Sequence, residues 1–145
     1  IGLPDTGVFA NYSWLDSDVE DEFGSRRFNS QAEYVYNFGF IQDITMWDAA
    51  FGVTYRKQGA AESRLVSEEV VTTYGADLEV FIEKSLGDNF TLRFVGSNLL
   101  NAKKEETFRK FALLSNQISG TIDDEFELEV EEGGPVYQIV GRYSF

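Results

Sequence analysis

Residues 76–98 read ADLEVFIEKSLGDNFTLRFVGSN, two alternating segments separated by the three residues GDN. In both segments apolar and polar side chains alternate along the chain, which is typical of half-exposed β-strands. If GDN is the loop of a hairpin, Leu86 opposes Phe90 and the charges Glu83 and Arg93 face each other directly. A cross-strand pair of opposite charge contributes about 0.2–1 kcal/mol to strand pairing. The stretch therefore predicts an antiparallel hairpin with one apolar face and one charged face.

The same alternation recurs in four other segments. These are VFANYSWL (8–15), YVYNFGFIQDI (34–44), FGVTYRKQ (51–58) and VYQIVGRYSF (136–145). The sequence thus predicts about six strands of roughly 9–12 residues, which is long for a soluble strand and suits one that crosses a bilayer at a tilt.

The connections between the six strands alternate in length. TMWD (45–48) and GDN (87–89) are short, whereas residues 18–31, 59–74 and 103–133 form long polar connections. Successive antiparallel strands place alternate connections at opposite ends of a sheet. One end should therefore carry short turns and the other long loops, as in outer-membrane β-barrels.

The two faces of the predicted sheet differ in chemistry. One is almost entirely apolar and aromatic. The other carries charges near the strand centres, namely Arg56, Asp77, Glu79, Glu83, Arg93 and Arg142. In a membrane barrel the apolar face meets lipid and these charges line a wet lumen, whereas in a soluble barrel the apolar face is the core. The face pattern by itself leaves both interpretations open.

Composition excludes several classes of function. With 25 acidic against 12 basic residues, the net charge of −13 argues against nucleic acid as a partner. The chain has neither Cys nor His, so we expect no disulfide, no zinc site and no cofactor. Glu79 and Glu83 share a strand face without a nucleophile–base set, so we do not expect an enzyme. Residues 1–9 lack the basic and apolar regions of a signal peptide.

Four segments resemble the C-terminal part of a TonB-dependent outer-membrane receptor. They are GVFANYSWLDSDVED (7–21), RRFNSQAEYVYNFGF (26–40), LRFVGSNLLNAKKEE (92–106) and the closing GRYSF (141–145). The stretch NLLNAKK (98–104) is similar to the family's Asn-Leu-Phe-Asp-Lys-like signature in the penultimate strand. Tyr143 and Phe145 look like the C-terminal aromatic signal that the barrel assembly machinery recognises. Gly141 departs from the usual spacing by one place and falls on the aromatic face.

The resemblance implies that residues 1–145 are the C-terminal part of a 22-stranded transmembrane β-barrel in the bacterial outer membrane. The plug domain, the earlier strands and the energy-coupling box have no counterpart in this sequence, and six strands should not close a barrel alone. The implied partners are the remainder of the barrel and the plug, the TonB energy-coupling complex acting through that plug, the barrel assembly machinery, and lipid or lipopolysaccharide. The implied activity is active uptake of a small scarce nutrient, of the ferric siderophore or oligosaccharide class.

Residues in the long connections are the candidate ligand contacts. Arg26, Arg27 and Phe28 lie in the first connection and Arg64 in the second, where they could meet an anionic or ring-shaped ligand. The alternative is that these arginines pair with lipopolysaccharide phosphate or with nearby acids, such as Asp21, Glu22, Glu68 and Glu69.

The third connection is strongly acidic between residues 123 and 132, and carboxylates could bind calcium there. The acids alternate with Phe126, Leu128 and Val130, however, which favours a strand hairpin over a metal site.

Two other functions remain open from the residues alone. One is a soluble lipocalin-like barrel that binds an apolar ligand in a pocket lined by Tyr34, Tyr36, Phe38 and Phe40. The other is a protomer of an oligomeric outer-membrane pore.

Overall fold

The computed structural model describes residues 5–145 and is all-β, with antiparallel sheets. The strands, numbered along the chain, are β1 Thr6–Trp14, β2 Val19–Asp21, β3 Gly24–Arg26, β4 Gln31–Ala32, β5 Tyr34–Ile44, β6 Ala49–Gln58, β7 Ala61–Leu65, β8 Glu68–Tyr74, β9 Asp77–Leu86, β10 Phe90–Ser97, β11 Lys103–Lys110, β12 Phe126–Glu132 and β13 Val136–Tyr143. A short helix, α1, spans Leu114–Ser119, and a 3-10 turn spans Thr45–Trp47. No helix among the described residues is long and apolar enough to cross a membrane.

The six long strands form one sheet, here called the main sheet, in the order β1-β5-β6-β9-β10-β13. The six strands predicted from the alternation are confirmed, and β5 has the predicted bounds. Each strand pairs with the next long strand in an antiparallel meander. Strands β1 and β13 lie at its two edges and do not pair with each other, so the main sheet is open.

The predicted β9–β10 hairpin has the expected register. Leu86 pairs with Phe90 across the three-residue loop, and Glu83 pairs with Arg93. Sequence alternation and charge matching were sufficient here because a shift of one residue would turn every side chain to the other face.

The long connections were expected to be polar loops, but most of their residues form strands. Strands β12, β11, β8, β7 and β4 make a second sheet in that order, here called the loop sheet, and β2 and β3 form a separate hairpin. The β-branched run in Glu68–Tyr74 favours this structure. The strand hairpin expected in the acidic third connection is confirmed, since β12 pairs with β11.

The loop sheet continues the main sheet in register. Val35 pairs with Gln58 in the main sheet, and three residues further along the same ladder Ala32 pairs with Ala61 in the loop sheet. The β6–β9 ladder continues into the β7–β8 ladder in the same way. Because the side-chain period of a strand is two residues, each face of the main sheet extends onto one face of the loop sheet.

The stretch Asn98–Leu99–Leu100–Asn101 interrupts this continuity between β10 and β11. Asn98 and Asn101 have φ angles of 53° and 51°, in the left-handed region that asparagine tolerates better than most residues. The Asn98 side chain donates to the Gly134 carbonyl at 2.8 Å and accepts from the Ala102 amide at 2.7 Å. The NLLN stretch is therefore the joint that links the two sheets along this strand.

Little of the molecule is buried. Among the side chains of residues 5–145, Phe111 and Gln117 alone are buried, with exposures of 2% and 3%. The main sheet is thus a single layer whose two faces are both uncovered.

Candidate functional site

The polar face of the main sheet brings the predicted charges together in cross-strand pairs. Arg56 on β6 lies opposite Asp77 on β9, with Nη2 3.4 Å from Oδ2. Arg93 on β10 lies opposite Glu83, with Nη1 3.8 Å from Oε2. These two ion pairs support the interpretation of the charges as cross-strand salt bridges that stabilise the sheet.

Arg93 also lies over the ring of Phe81, with its guanidinium carbon 3.9 Å from the ring centroid. Phe81 in turn covers Gly52 on the neighbouring strand, and Phe9 covers Gly39 in the same manner. An aromatic ring placed over a cross-strand glycine fills the space that the missing side chain leaves.

Glu79 and Arg142, the other two charges predicted for the polar face, lie opposite threonines. Glu79 pairs with Thr54 and Arg142 with Thr91, and neither charge has an ion-pair partner within residues 5–145. Arg142 is on the edge strand β13, where no further strand lies beside it.

The aromatic face of the main sheet has a graded composition along the strands. The end toward the long connections carries Tyr12, Trp14, Tyr34, Tyr36, Tyr55 and Tyr137. The opposite end carries Tyr143, whose ring contacts Phe145, together with Thr6 and Gln42, and Trp47 lies in the turn between β5 and β6 at this end. Four stacked ring pairs, with centroids 5.1–6.4 Å apart, join Tyr12, Tyr34, Tyr36, Tyr55 and Phe38.

Between these ends the aromatic face carries mainly Phe, Val, Leu, Ile and Ala, with Gly96 and Gly141 among them. Lys57 and Lys84 are the charged side chains of this face in the described part of the chain, and both lie near strand ends. Their ammonium groups donate to the carbonyls of Tyr74 and Trp47. Of the four aromatic residues considered for an apolar pocket, Phe38 and Phe40 line an open apolar groove of about 590 Å³ on this face, whereas Tyr34 and Tyr36 lie outside it.

The four candidate ligand residues from two separate connections line one cavity. Arg26, Arg27, Phe28 and Arg64 surround a space of about 290 Å³ together with Asn29, Gln31, Glu33 and Glu62. This set is here called the arginine pocket. It lies on the side of the loop sheet that continues the polar face, because Gln31, Glu62 and Arg64 share the side-chain parity of Asn37 and Arg56.

Asn29 attaches the segment that follows β3 to the backbone of strand β7. Asn29 Nδ2 donates to the Arg64 carbonyl at 3.1 Å, and Oδ1 accepts from the Arg64 amide at 3.0 Å. The next residue, Ser30, adopts a φ of 62° and donates its amide to the Glu62 carbonyl at 2.8 Å. These bonds place Arg27 and Phe28 beside Arg64, although some 35 residues separate them in the chain.

Each arginine of the pocket has a carboxylate partner. Arg26 Nη2 lies 2.5 Å from Asp21 Oδ2, Arg27 Nη1 lies 3.0 Å from Glu33, and Arg64 Nε lies 3.4 Å from Glu69. The hydrogen bond from Arg26 holds the pKa of the Asp21 carboxyl below its usual value. For Arg26 and Arg64 the structure thus confirms the alternative of pairing with neighbouring acids. The other two acids named from the sequence, Glu22 and Glu68, do not form these pairs.

Phe28 and Glu62 remain accessible in the arginine pocket. The Phe28 ring is 57% exposed, and the Glu62 carboxylate has no ion-pair partner within residues 5–145. The sequence analysis did not identify Asn29, Gln31, Glu33 or Glu62 as pocket residues. Extending the β5–β6 register by four residues would have placed Gln31 opposite Glu62 beside the arginines.

The acidic third connection forms ion pairs rather than a metal site. Lys103 pairs with Glu132 at 2.5 Å and Lys110 with Glu125 at 2.7 Å. No group of three or more His, Cys, Asp or Glu residues within the described range 5–145 is arranged to hold a metal ion.

Comparisons with protein-family models, with curated proteins and with solved structures find no match to this chain. The class of this protein is therefore described from its fold and its sites alone. It is an open antiparallel β protein with one aromatic face, one charged face, and a polar pocket on the continuation of the charged face.

Proposed function

We propose that this chain is the C-terminal barrel segment of a TonB-dependent outer-membrane receptor, which takes up a small nutrient across the bacterial outer membrane. The observation that carries this proposal is the gradation along the aromatic face. Five tyrosines and Trp14 lie at the end toward the long connections, Tyr143 and the turn residue Trp47 lie at the opposite end, and mainly Phe, Val, Leu, Ile and Ala occupy the middle. This arrangement is typical of a transmembrane β-barrel, in which aromatic girdles flank an apolar band.

The two lysines of the aromatic face fit the same arrangement. Lys57 and Lys84 lie near opposite ends of the strands and reach backbone carbonyls with their ammonium groups. Long basic side chains near a membrane interface keep their charge in the polar region in this way.

The exposed edges support a barrel that other strands complete. All eight residues of β13 are exposed, and the eight residues of β1 after Thr6 are exposed as well. Long unpaired edges favour association with further strands, and a closed barrel removes them. In this proposal the remainder of the barrel pairs with both edges, and Tyr143 and Phe145 form the assembly signal.

Fractionation and intact mass test the proposal. Outer membranes from the native source are extracted in detergent, and the polypeptide that contains this sequence is weighed. We expect it in the membrane fraction with a mass several times the 16.4 kDa of residues 1–145. A 16.4 kDa chain in the water-soluble fraction would contradict the proposal and favour a lipocalin-like protein. The same mass in the membrane fraction would favour an oligomeric pore.

Fluorescence quenching locates the aromatic face directly. Trp14 and Trp47 are the two tryptophans of residues 1–145 and lie at opposite ends of the main sheet, so the fluorescence lost in Trp14→Phe or in Trp47→Phe of the intact protein is that of one reporter. In lipid vesicles we expect lipids brominated near the headgroup to quench both reporters more strongly than lipids brominated at the chain ends. If neither tryptophan responds to brominated lipid, the aromatic face does not contact a bilayer.

A further inference from the structure

The arginine pocket has no excess of positive charge. Arg26, Arg27 and Arg64 each pair with a carboxylate, at 2.5, 3.0 and 3.4 Å, and Glu62 is a further acid with no ion-pair partner among residues 5–145. An anionic ligand would have to displace these carboxylates and approach the acid that remains. The pocket is thus poorly suited to a carboxylate, sulfate or phosphate group, contrary to the anionic ligand that the arginines suggested in the sequence.

The groups left accessible suit hydroxyls. Arg27 and Arg64 each use only part of their guanidinium in the ion pair, so other N–H groups remain to donate, and Glu62 and Glu33 offer carboxylate oxygens that accept. A hydroxyl both donates and accepts, and can therefore bridge such a mixed set. Phe28 adds an apolar ring surface, 57% exposed, on which the face of a saturated ring can pack.

We propose that the arginine pocket binds an uncharged, hydroxyl-rich ring, that is, one unit of a neutral oligosaccharide, and that the three ion pairs exclude anionic ligands. The volume of about 290 Å³ lies at the small end of ligand pockets, so the pocket takes a single part of a longer ligand. This inference rests on the proposed function for its biological setting, since it selects a substrate class for the receptor.

An array of immobilised oligosaccharides tests the proposal with the intact native protein in detergent. The array carries neutral oligosaccharides and matched ones bearing carboxylate or sulfate groups. We expect binding to neutral members. Binding only to the anionic members, or to none, would overturn the inference.

Two variants of the intact protein locate the binding. Phe28→Ala should weaken binding of the best neutral oligosaccharide at least about tenfold, as measured by calorimetry. The control is Phe126→Ala, which removes a similarly exposed ring (60%) from the same face of the loop sheet but away from the pocket. Unchanged affinity in Phe28→Ala would place the ligand elsewhere and overturn the assignment.

A third variant tests the role of the ion pairs. Glu33→Gln removes the partner of Arg27 and leaves its guanidinium free. We expect this variant to gain binding to anionic oligosaccharides that the parent protein rejects. If the variant still rejects them, the ion pair does not set the selectivity.

The outcomes separate this inference from the proposed function. A membrane-bound protein that binds no neutral oligosaccharide removes the ligand assignment and leaves the receptor proposal intact. A water-soluble protein whose neutral-oligosaccharide binding depends on Phe28 would overturn the receptor proposal and leave the ligand assignment intact.

Discussion

At the scale of single residues, glycines on the polar face allow rings and backbone to pack closely. A Cβ atom on Gly39 would lie 2.3 Å from the Val53 carbonyl oxygen and 2.6 Å from the Phe9 ring. The first of these contacts is with backbone, so rotation of a side chain cannot relieve it. Gly39 therefore fixes how closely β1, β5 and β6 approach.

Gly39→Ala should destabilise the main sheet by about 1–3 kcal/mol, because the added methyl group forces the backbone of β6 to move. Thermal unfolding of the detergent-solubilised protein, followed by circular dichroism, measures the change. Gly7→Ala is the control, because Gly7 lies on the neighbouring edge strand β1 and nothing lies within 4 Å of its Cβ position. Equal unfolding temperatures for the two variants would show that the close approach at Gly39 is not required.

At the scale of elements, helix α1 shows an inverted pattern of burial. Its buried residue is Gln117, while Leu114 and Ile118 on the same helix are exposed. Gln117 Nε2 donates to the Leu65 carbonyl at 2.8 Å, and Oε1 accepts from the Ser67 amide at 2.9 Å. A polar side chain thus attaches the helix to the β7–β8 turn, in which Ser67 has a φ of 71°.

Gln117→Ala should loosen the β7–β8 turn, since loss of a buried hydrogen-bonding side chain costs about 1–3 kcal/mol. Hydrogen exchange detected by mass spectrometry should show faster exchange in the peptide that contains Ser67. Ser115→Ala, on the exposed side of the same helix, serves as the control. Unchanged protection of this peptide in Gln117→Ala would mean that the turn is stable without the helix.

At the scale of the whole molecule, ion pairs join neighbouring strands of the loop sheet, from Arg64 to Glu69, from Arg109 to Glu69 and from Lys103 to Glu132. Hydrogen bonds from Lys103 and Lys104 hold the pKa values of Glu132 and Glu106 below their ordinary value of 4.5. The same contacts raise the pKa values of both lysines. The acids and the lysines therefore stabilise the folded loop sheet over the pH range in which both are charged.

The loop sheet should lose stability as the pH falls. A carboxyl whose folded pKa is lowered stabilises the fold fully above its unfolded pKa, here 4.5, and loses this contribution as the pH falls through the folded value. Pepsin cleavage within residues 103–132 should therefore increase as the pH is lowered from 5 to about 3.

A variant with Lys103→Gln and Lys104→Gln provides the comparison. It lacks the two charges that lower these pKa values, so it should show a less stable loop sheet at neutral pH and a smaller further loss in acid. Cleavage that increases equally in the parent protein and the variant would assign the acid sensitivity to other groups.

The sequence alone predicted the main sheet and one part of the candidate site. Period-two alternation set all six long strands, and the Glu83–Arg93 match set the register of one hairpin, because both signals are local to a strand or to neighbouring strands. The same alternation also predicted which charged side chains share the polar face. Residues 26–28 and Arg64 were recognised as candidates one by one, from residue type and position in the long connections.

Only the tertiary structure decided how those candidates act. The loop sheet forms by pairing segments from three separate connections, and such pairing is non-local, so no single segment specifies it. This pairing brings Arg64 beside Arg27 and places Glu33 and Glu69 against their guanidinium groups. The sequence identified the arginines but not their partners. The fold places a carboxylate beside each of them, and the charge of a pocket depends on which side chains lie close together in space.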